Sequence, residues 1–162
     1  MPHFEHSFIV KAPLERVWNF HADPTALPKV MTGPVQMDVL HVDRPLEPGS
    51  RIHTMMRVGP FRQRWNLRLK AREPMRFFTD EQIAGEGPMK TWQHTHAFAA
   101  EESGTRVIDR LDYELPLGVL GKIAGALFGN LTMRIMFASR AKATRRLLEM
   151  EIDAPAQALN AL

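Results

Sequence analysis

Turn-forming residues recur about every ten positions between Thr32 and Leu115, and this rhythm restricts the fold more than any other feature. The signals are Gly33-Pro34, Pro45 to Gly49, Gly59-Pro60, Glu73-Pro74, Gly85 to Pro88 and Ser103-Gly104. Between them lie segments near 35–43, 50–58, 61–72, 75–83, 89–100 and 105–114, many of whose positions alternate between apolar and polar. Short alternating runs punctuated in this way predict consecutive antiparallel strands. The segment His3 to Val10 adds another, with Phe4, Phe8 and Val10 on one parity. The sheet expected is therefore seven-stranded.

Two short helices are predicted after the first strand. Ala12-Pro13 opens one, with proline near the first helical position, and Leu14, Val17, Trp18 and His21 supply its apolar side. Asp23-Pro24 opens the other, with Asp23 as N-cap and an end near Pro28 to Val30.

The texture changes again from Leu117 to Met150, which reads as helix. Gly121, Gly125 and Gly129 line one face, and Asn130 divides the stretch into pieces near 118–128 and 130–150. On a helical wheel Met133, Met136, Phe137, Ala143, Thr144 and Leu147 share one side, and Arg134, Lys142, Arg145 and Glu149 the other. Arg140 falls in the middle of the apolar side. The domain is expected to span 1–150, with 151–162 as a frayed tail carrying Pro155.

A strand, two short helices, a six-strand meander and a long helix make an α+β architecture. A sheet this wide curls, and the last helix has the concave side on which to bury its face. Curved sheets of this kind need not fill their interior, so a cavity is expected. The chain has 162 residues, which suits one domain, and no cysteine, which excludes disulfides and thiolate chemistry. No signal peptide is visible, and the apolar window from Leu115 to Leu131 is short and interrupted by glycines and Lys122. A cytoplasmic location is the expectation. The net charge of +3 hides a basic block from Arg51 to Arg76, in which Glu73 is the only acid. Arg62, Arg64, Arg68 and Lys70 share a parity, which reads as an outer sheet face with a capacity for weak anionic membrane contact but no specific nucleic-acid site.

Trp92, His94, His96 and Phe98 share a strand parity, as do Val107, Asp109, Leu111 and Tyr113. A tight hairpin at Glu102-Ser103 sets Phe98 against Val107, His96 against Asp109, His94 against Leu111 and Trp92 against Tyr113. Four uses compete for this polar group: orienting a ligand, acid–base catalysis with Asp109 supporting His96, a metal held by His94, His96 and a carboxylate, or internal pairing alone. No ligand-spacing motif supplies a third metal ligand, so neither metal nor cofactor is expected. Arg140 needs a carboxylate among Asp80, Glu81 and Asp109, and only one of Asp80 and Glu81 can face inward. Trp65, Leu67 and Leu69 oppose the basic parity of their strand, and Thr54, Met56 and Val58 are expected inward on the strand before. No nucleophile elbow or phosphate-binding glycine loop is present.

The run Ile9-Val10-Lys11-Ala12-Pro13-Leu14-Glu15-Arg16-Val17-Trp18 resembles the opening of bacterial members of the START, Bet v 1 and polyketide-cyclase-like (SRPBCC) superfamily. Phe77 to Gln82, Gly87-Pro88-Met89, Trp92, His94, His96 and Phe98 are similar to a bacterial subgroup of single-domain ligand-binding proteins. Gly104-Thr105, Asp109-Arg110, Tyr113, Leu115-Pro116-Leu117-Gly118 and Arg140 continue the likeness. The resemblance implies a helix-grip fold: the curved sheet wrapped around the C-terminal helix. It also implies binding, transport or sequestration of a small hydrophobic ligand such as a lipid, quinone or polyketide-like aromatic. The alternative is an aromatase/cyclase- or dehydratase-like enzyme using His96 and Asp109. The expected ligand-binding residues are Arg140, Trp92, His94, His96, Asp80, Asp109, Tyr113, Trp65, Met56, Phe137 and Met133.

Overall fold

The computed structural model describes residues 3–116 and 130–159. The chain opens with β1 (His3–Val10), followed by α1 (Leu14–Ala22), a 3-10 turn (Pro24–Ala26) and α2 (Leu27–Val30). A meander follows: β2 (Val35–Val42), β3 (Arg51–Val58), β4 (Phe61–Arg64), β5 (Leu67–Glu73), β6 (Phe77–Gln82), β7 (Thr91–Glu101) and β8 (Gly104–Glu114). The last element is α3 (Asn130–Leu159), which continues past the Met150 end expected for it. The expected glycine-lined piece near 118–128 lies outside the described residues.

Seven strands run in the order β1-β8-β7-β6-β5-β3-β2, and the short β4 is an eighth that pairs only with β3. The expected strand near 61–72 is thus two strands. Asn66 is the cause. Its N–H donates to the Glu86 carbonyl at 2.8 Å, and its own carbonyl accepts from Ile83 at 3.0 Å. The backbone there serves the 83–86 loop instead of β3, so the ladder breaks. β4 is exposed on both faces, and Val58 at the end of β3 is exposed rather than inward. The hairpin extends beyond the part of the sheet that the helices cover.

The β7–β8 register is the one the turn and parity predict: His96 opposite Asp109, His94 opposite Leu111, Trp92 opposite Tyr113 and Phe98 opposite Val107. Gly104 lets this hairpin meet the end of β1. It has φ +136°, and a Cβ there would lie 2.2 Å from the Val10 carbonyl oxygen. Thr105 Oγ1 closes the same junction by donating to the Ala12 carbonyl at 2.8 Å.

α3 lies on the concave side, packed against β1 and α2. Met133, Phe137, Ala141, Ala143, Thr144 and Leu148 are buried, whereas Arg134, Lys142 and Arg145 are exposed. Phe137 is 1% exposed, and its burial alone contributes roughly 1.5–3 kcal/mol. One core cluster joins Phe4, Trp65, Trp92, Leu111, Tyr113 and Phe137; a second lies under α1 and joins Phe8, Val10, Val17, Trp18, Phe98 and Val107. Trp18 anchors α1 edge-on against Phe98, with ring centroids 5.4 Å apart. As expected, Asp23 caps the next turn, accepting from the Thr25 N–H at 3.1 Å. The result is the expected α+β helix-grip arrangement, with both short helices after the first strand.

Candidate functional site

Between the concave sheet, α1–α2 and α3 lies a cavity of about 110 Å³. On that scale one water needs roughly 10–15 Å³, so there is room for a cluster of atoms. Trp65, Trp92 and Phe137 line it, together with Leu67, Ile52, Met31, Met37 and Phe78. Asp80, His94, His96 and Arg140 also line it, with His21, Asp23 and Arg72. Tyr113, Met133 and Met56 belong to the core cluster behind this lining.

The polar residues come from neighbouring strands. Asp80 on β6 opposes His94 on β7, and His96 on β7 opposes Asp109 on β8. The side chains cross this ladder diagonally. His94 Nε2–H donates to Asp109 Oδ1 at 2.9 Å, and His96 Nε2–H donates to Asp80 Oδ2 at 3.2 Å. His96 Nδ1 lies 3.1 Å from the same Asp109 oxygen and 3.3 Å from an Arg140 guanidinium nitrogen. With Nε2 protonated, His96 donates to Asp80 and accepts from Arg140 on Nδ1. A proton on Nδ1 is directed to Asp109 instead. Phe78 stacks on the His96 ring at 4.3 Å, and Phe137 meets the His94 ring edge-on at 5.3 Å. Glu81 takes the outward parity and pairs with Arg68 and Lys70 on the outer face.

Asp109 is 1% exposed. Burial pushes its pKa up, but the Arg140 charge and the bonds from His94 and His96 hold it well below the ordinary carboxylate range. Asp80 is also held low: burial raises it, and the His96 bond and the surrounding cations outweigh that. Burial, with help from His96, drives His94 down to about 4. When both imidazoles are neutral, two buried carboxylates face one guanidinium. Among the described residues, Asp109 Oδ2, Arg140 Nε and Thr144 Oγ1 are buried without a hydrogen-bond partner.

Asp80, His94 and His96 each place a donor atom within 4.8 Å of the others, a set whose chemistry suits a transition metal. The Arg140 guanidinium beside His96 opposes a further cation there.

His21 joins this corner without having been singled out in the sequence as a site residue. It faces the cavity from α1, with Phe20 beside it and Leu27, Val30 and Met31 on the next turns. The two short helices form a wall of the cavity. The one sequence signal was position: His21 stands four residues after Val17, on the buried side of its helix.

Most of the paired residues in the basic block from Arg51 to Arg76 find acids outside it, and Arg76 finds Glu73 within it. Arg51 pairs with Glu86, Arg57 with Asp38, Arg68 and Lys70 with Glu81, and Arg76 with Glu73. Among the described residues no helix is long and apolar enough to cross a membrane.

The sequence profile of the polyketide cyclase / dehydrase and lipid transport family matches residues 10–136. The chain belongs to that family. Solved structures share the helix-grip fold seen here. A protein from Thermus thermophilus superposes with a TM-score of 0.72 at 22% identity, over 93% of this chain and 99% of its own. The Zhui aromatase/cyclase from Streptomyces sp. R1128 gives 0.63 at 16% identity, over 90% of this chain and 95% of its own. The di-domain ARO/CYC BexL of the BE-7585A biosynthetic pathway gives 0.68 at 18% identity, over 92% of this chain and 47% of its own. At these identities the likeness concerns the fold. A comparison with curated protein sequences finds no match.

Proposed function

We propose that the chain binds a small hydrophobic molecule in the cavity under α3. One observation carries this: the lining is largely apolar, and its buried charged groups gather in a single corner around His96 and Arg140, whereas Asp23 and Arg72 are exposed and engaged with Thr25 and Leu46. Such a cavity takes up an apolar body and orients it by one polar end. Lipids, quinones and polyketide-like aromatics have that form. The test is titration with N-phenyl-1-naphthylamine. Saturable fluorescence enhancement is expected in the natural chain, with strong weakening in Met31→Trp, which fills the cavity. Absent binding, or binding indifferent to Met31→Trp, overturns the proposal.

A specific observation favours a second reading. His96 can pass a proton between two carboxylates beside a guanidinium, an arrangement suited to acid–base work on an oxygen-bearing ligand. In that reading the chain is aromatase/cyclase- or dehydratase-like. Turnover of a β-hydroxyketone that is abolished in His96→Ala, while naphthylamine binding persists, supports it. Binding without turnover leaves the binder.

A further inference from the structure

His21 Nδ1 sits 2.8 Å from the Val17 carbonyl oxygen, one turn earlier on α1. A carbonyl only accepts, so Nδ1 carries the proton and Nε2 is left as a bare acceptor. That Nε2 is buried and has no hydrogen-bond partner among the described residues. Arg140, across the cavity corner on α3, has the complementary defect: its Nε–H is a buried donor with no partner among them. Arg140 is 9% exposed, and both residues line the cavity. Burial and then the Arg140 charge drive His21 down to about 3, so the ring stays neutral near neutral pH and its lone pair persists.

A bare acceptor and a free donor on the same cavity, near enough for the Arg140 charge to act on His21, restrict which single ligand group can satisfy both. A carboxylate or ketone suits Arg140 but presents lone pairs to the lone pair of His21. An ammonium suits His21 but meets the guanidinium. A methyl ether accepts and cannot donate. A hydroxyl does both with one oxygen. We propose that His21 and Arg140 form a hydroxyl-reading pair: the ligand's alcohol, enol or phenol donates to His21 Nε2 and accepts from Arg140 Nε–H. This rests on the binding role proposed above and narrows its ligand to hydroxylated hydrophobic molecules. Arg140 alone reads any oxygen; His21 selects the one that carries a proton.

The experiment is competition against N-phenyl-1-naphthylamine on the full chain, with 2-naphthol and 2-methoxynaphthalene as matched competitors. 2-Naphthol should bind roughly tenfold tighter or more, because losing the hydroxyl proton leaves a buried acceptor unpaired. In His21→Phe the two affinities should converge, with 2-methoxynaphthalene retained. A wild-type preference that survives in His21→Phe, or no wild-type preference, overturns the assignment. A second measurement needs no variant: the ¹⁵N shift of His21 Nε2 should move on adding 2-naphthol and stay fixed with 2-methoxynaphthalene. An unmoved resonance at saturating naphthol also overturns it. If the fluorophore itself does not bind, the cavity proposal falls and takes this one with it; if the fluorophore binds and the competitors are equal, only the hydroxyl assignment falls.

Discussion

Arg140→Met keeps most of the side-chain volume and removes the guanidinium that faces Asp80 and Asp109. Both carboxylates then lie buried beside imidazoles, of which His94 titrates only near 4. Arg140 bonds His96 and makes no ion pair with either carboxylate directly, so its removal should cost less than the roughly 3–5 kcal/mol of breaking a buried ion pair, about 1.5–3 kcal/mol for a buried bond to a charged group. Loss of the guanidinium stacked 5.9 Å from the Phe137 ring centre adds a smaller amount, about 0.5–1 kcal/mol. For a chain of this size each kcal/mol shifts Tm by roughly 2–4 °C, so a total of about 2–4 kcal/mol lowers Tm by about 4–16 °C. Urea unfolding followed by tryptophan fluorescence gives the stability directly, since Trp18, Trp65 and Trp92 are all buried. The cycle with Asp109→Asn isolates the cause: the double variant should be more stable than Arg140→Met alone, because the stranded charge is gone. A loss below about 1 kcal/mol, or an Asp109→Asn change that fails to rescue, refutes the claim that Arg140 compensates a buried carboxylate pair.

Acid should destabilise the protein in two overlapping steps. His94 is lowered from 6.5 to about 4 and His21 to about 3, so the unfolded chain binds protons first and stability drops as pH falls from about 6.5 toward 3. Asp80 and Asp109, held below 3.8, add stability above that value which is lost as pH falls through their folded pKa. Urea midpoints from pH 7 to pH 4 should decline steadily, and His94→Gln should flatten the slope; a flat natural profile contradicts both. Gly104→Ala should cost at least about 1–3 kcal/mol, because its φ of +136° and the Val10 carbonyl 2.2 Å from the new Cβ leave no room to adapt. A thermal melt unchanged within error would show that the β1–β8 junction yields.

What the chain disclosed in advance was whatever depends on period. Parity and a two-residue turn place His96 opposite Asp109, because a slip by one residue would send Trp92 and Phe98 outward. The helical period likewise puts Arg140 among buried neighbours. What it hid depends on direction within a face. Opposed Cα atoms do not tell that His94 reaches across to Asp109 while His96 reaches back to Asp80, since side-chain torsions decide that. The break at Trp65-Asn66 was hidden because its cause is a loop about twenty residues later. His21 was hidden for a different reason: only its bond to Val17, visible in three dimensions, leaves its other nitrogen bare.

The diagonal polar corner and the apolar lining are carried by different parts of the chain. Asp80, His94, His96 and Asp109 sit on β6, β7 and β8, locked together by a continuous ladder and a two-residue turn. Much of the lining that sets size and shape comes from α2 and the residue after it, β2 and β3, through Leu27, Met31, Met37 and Ile52. Those positions can be enlarged, trimmed or branched without moving a buried charge. The protein is in this sense a separable receptor. A library confined to that wall should yield variants that accept differently shaped molecules while keeping the same orientation at the polar end.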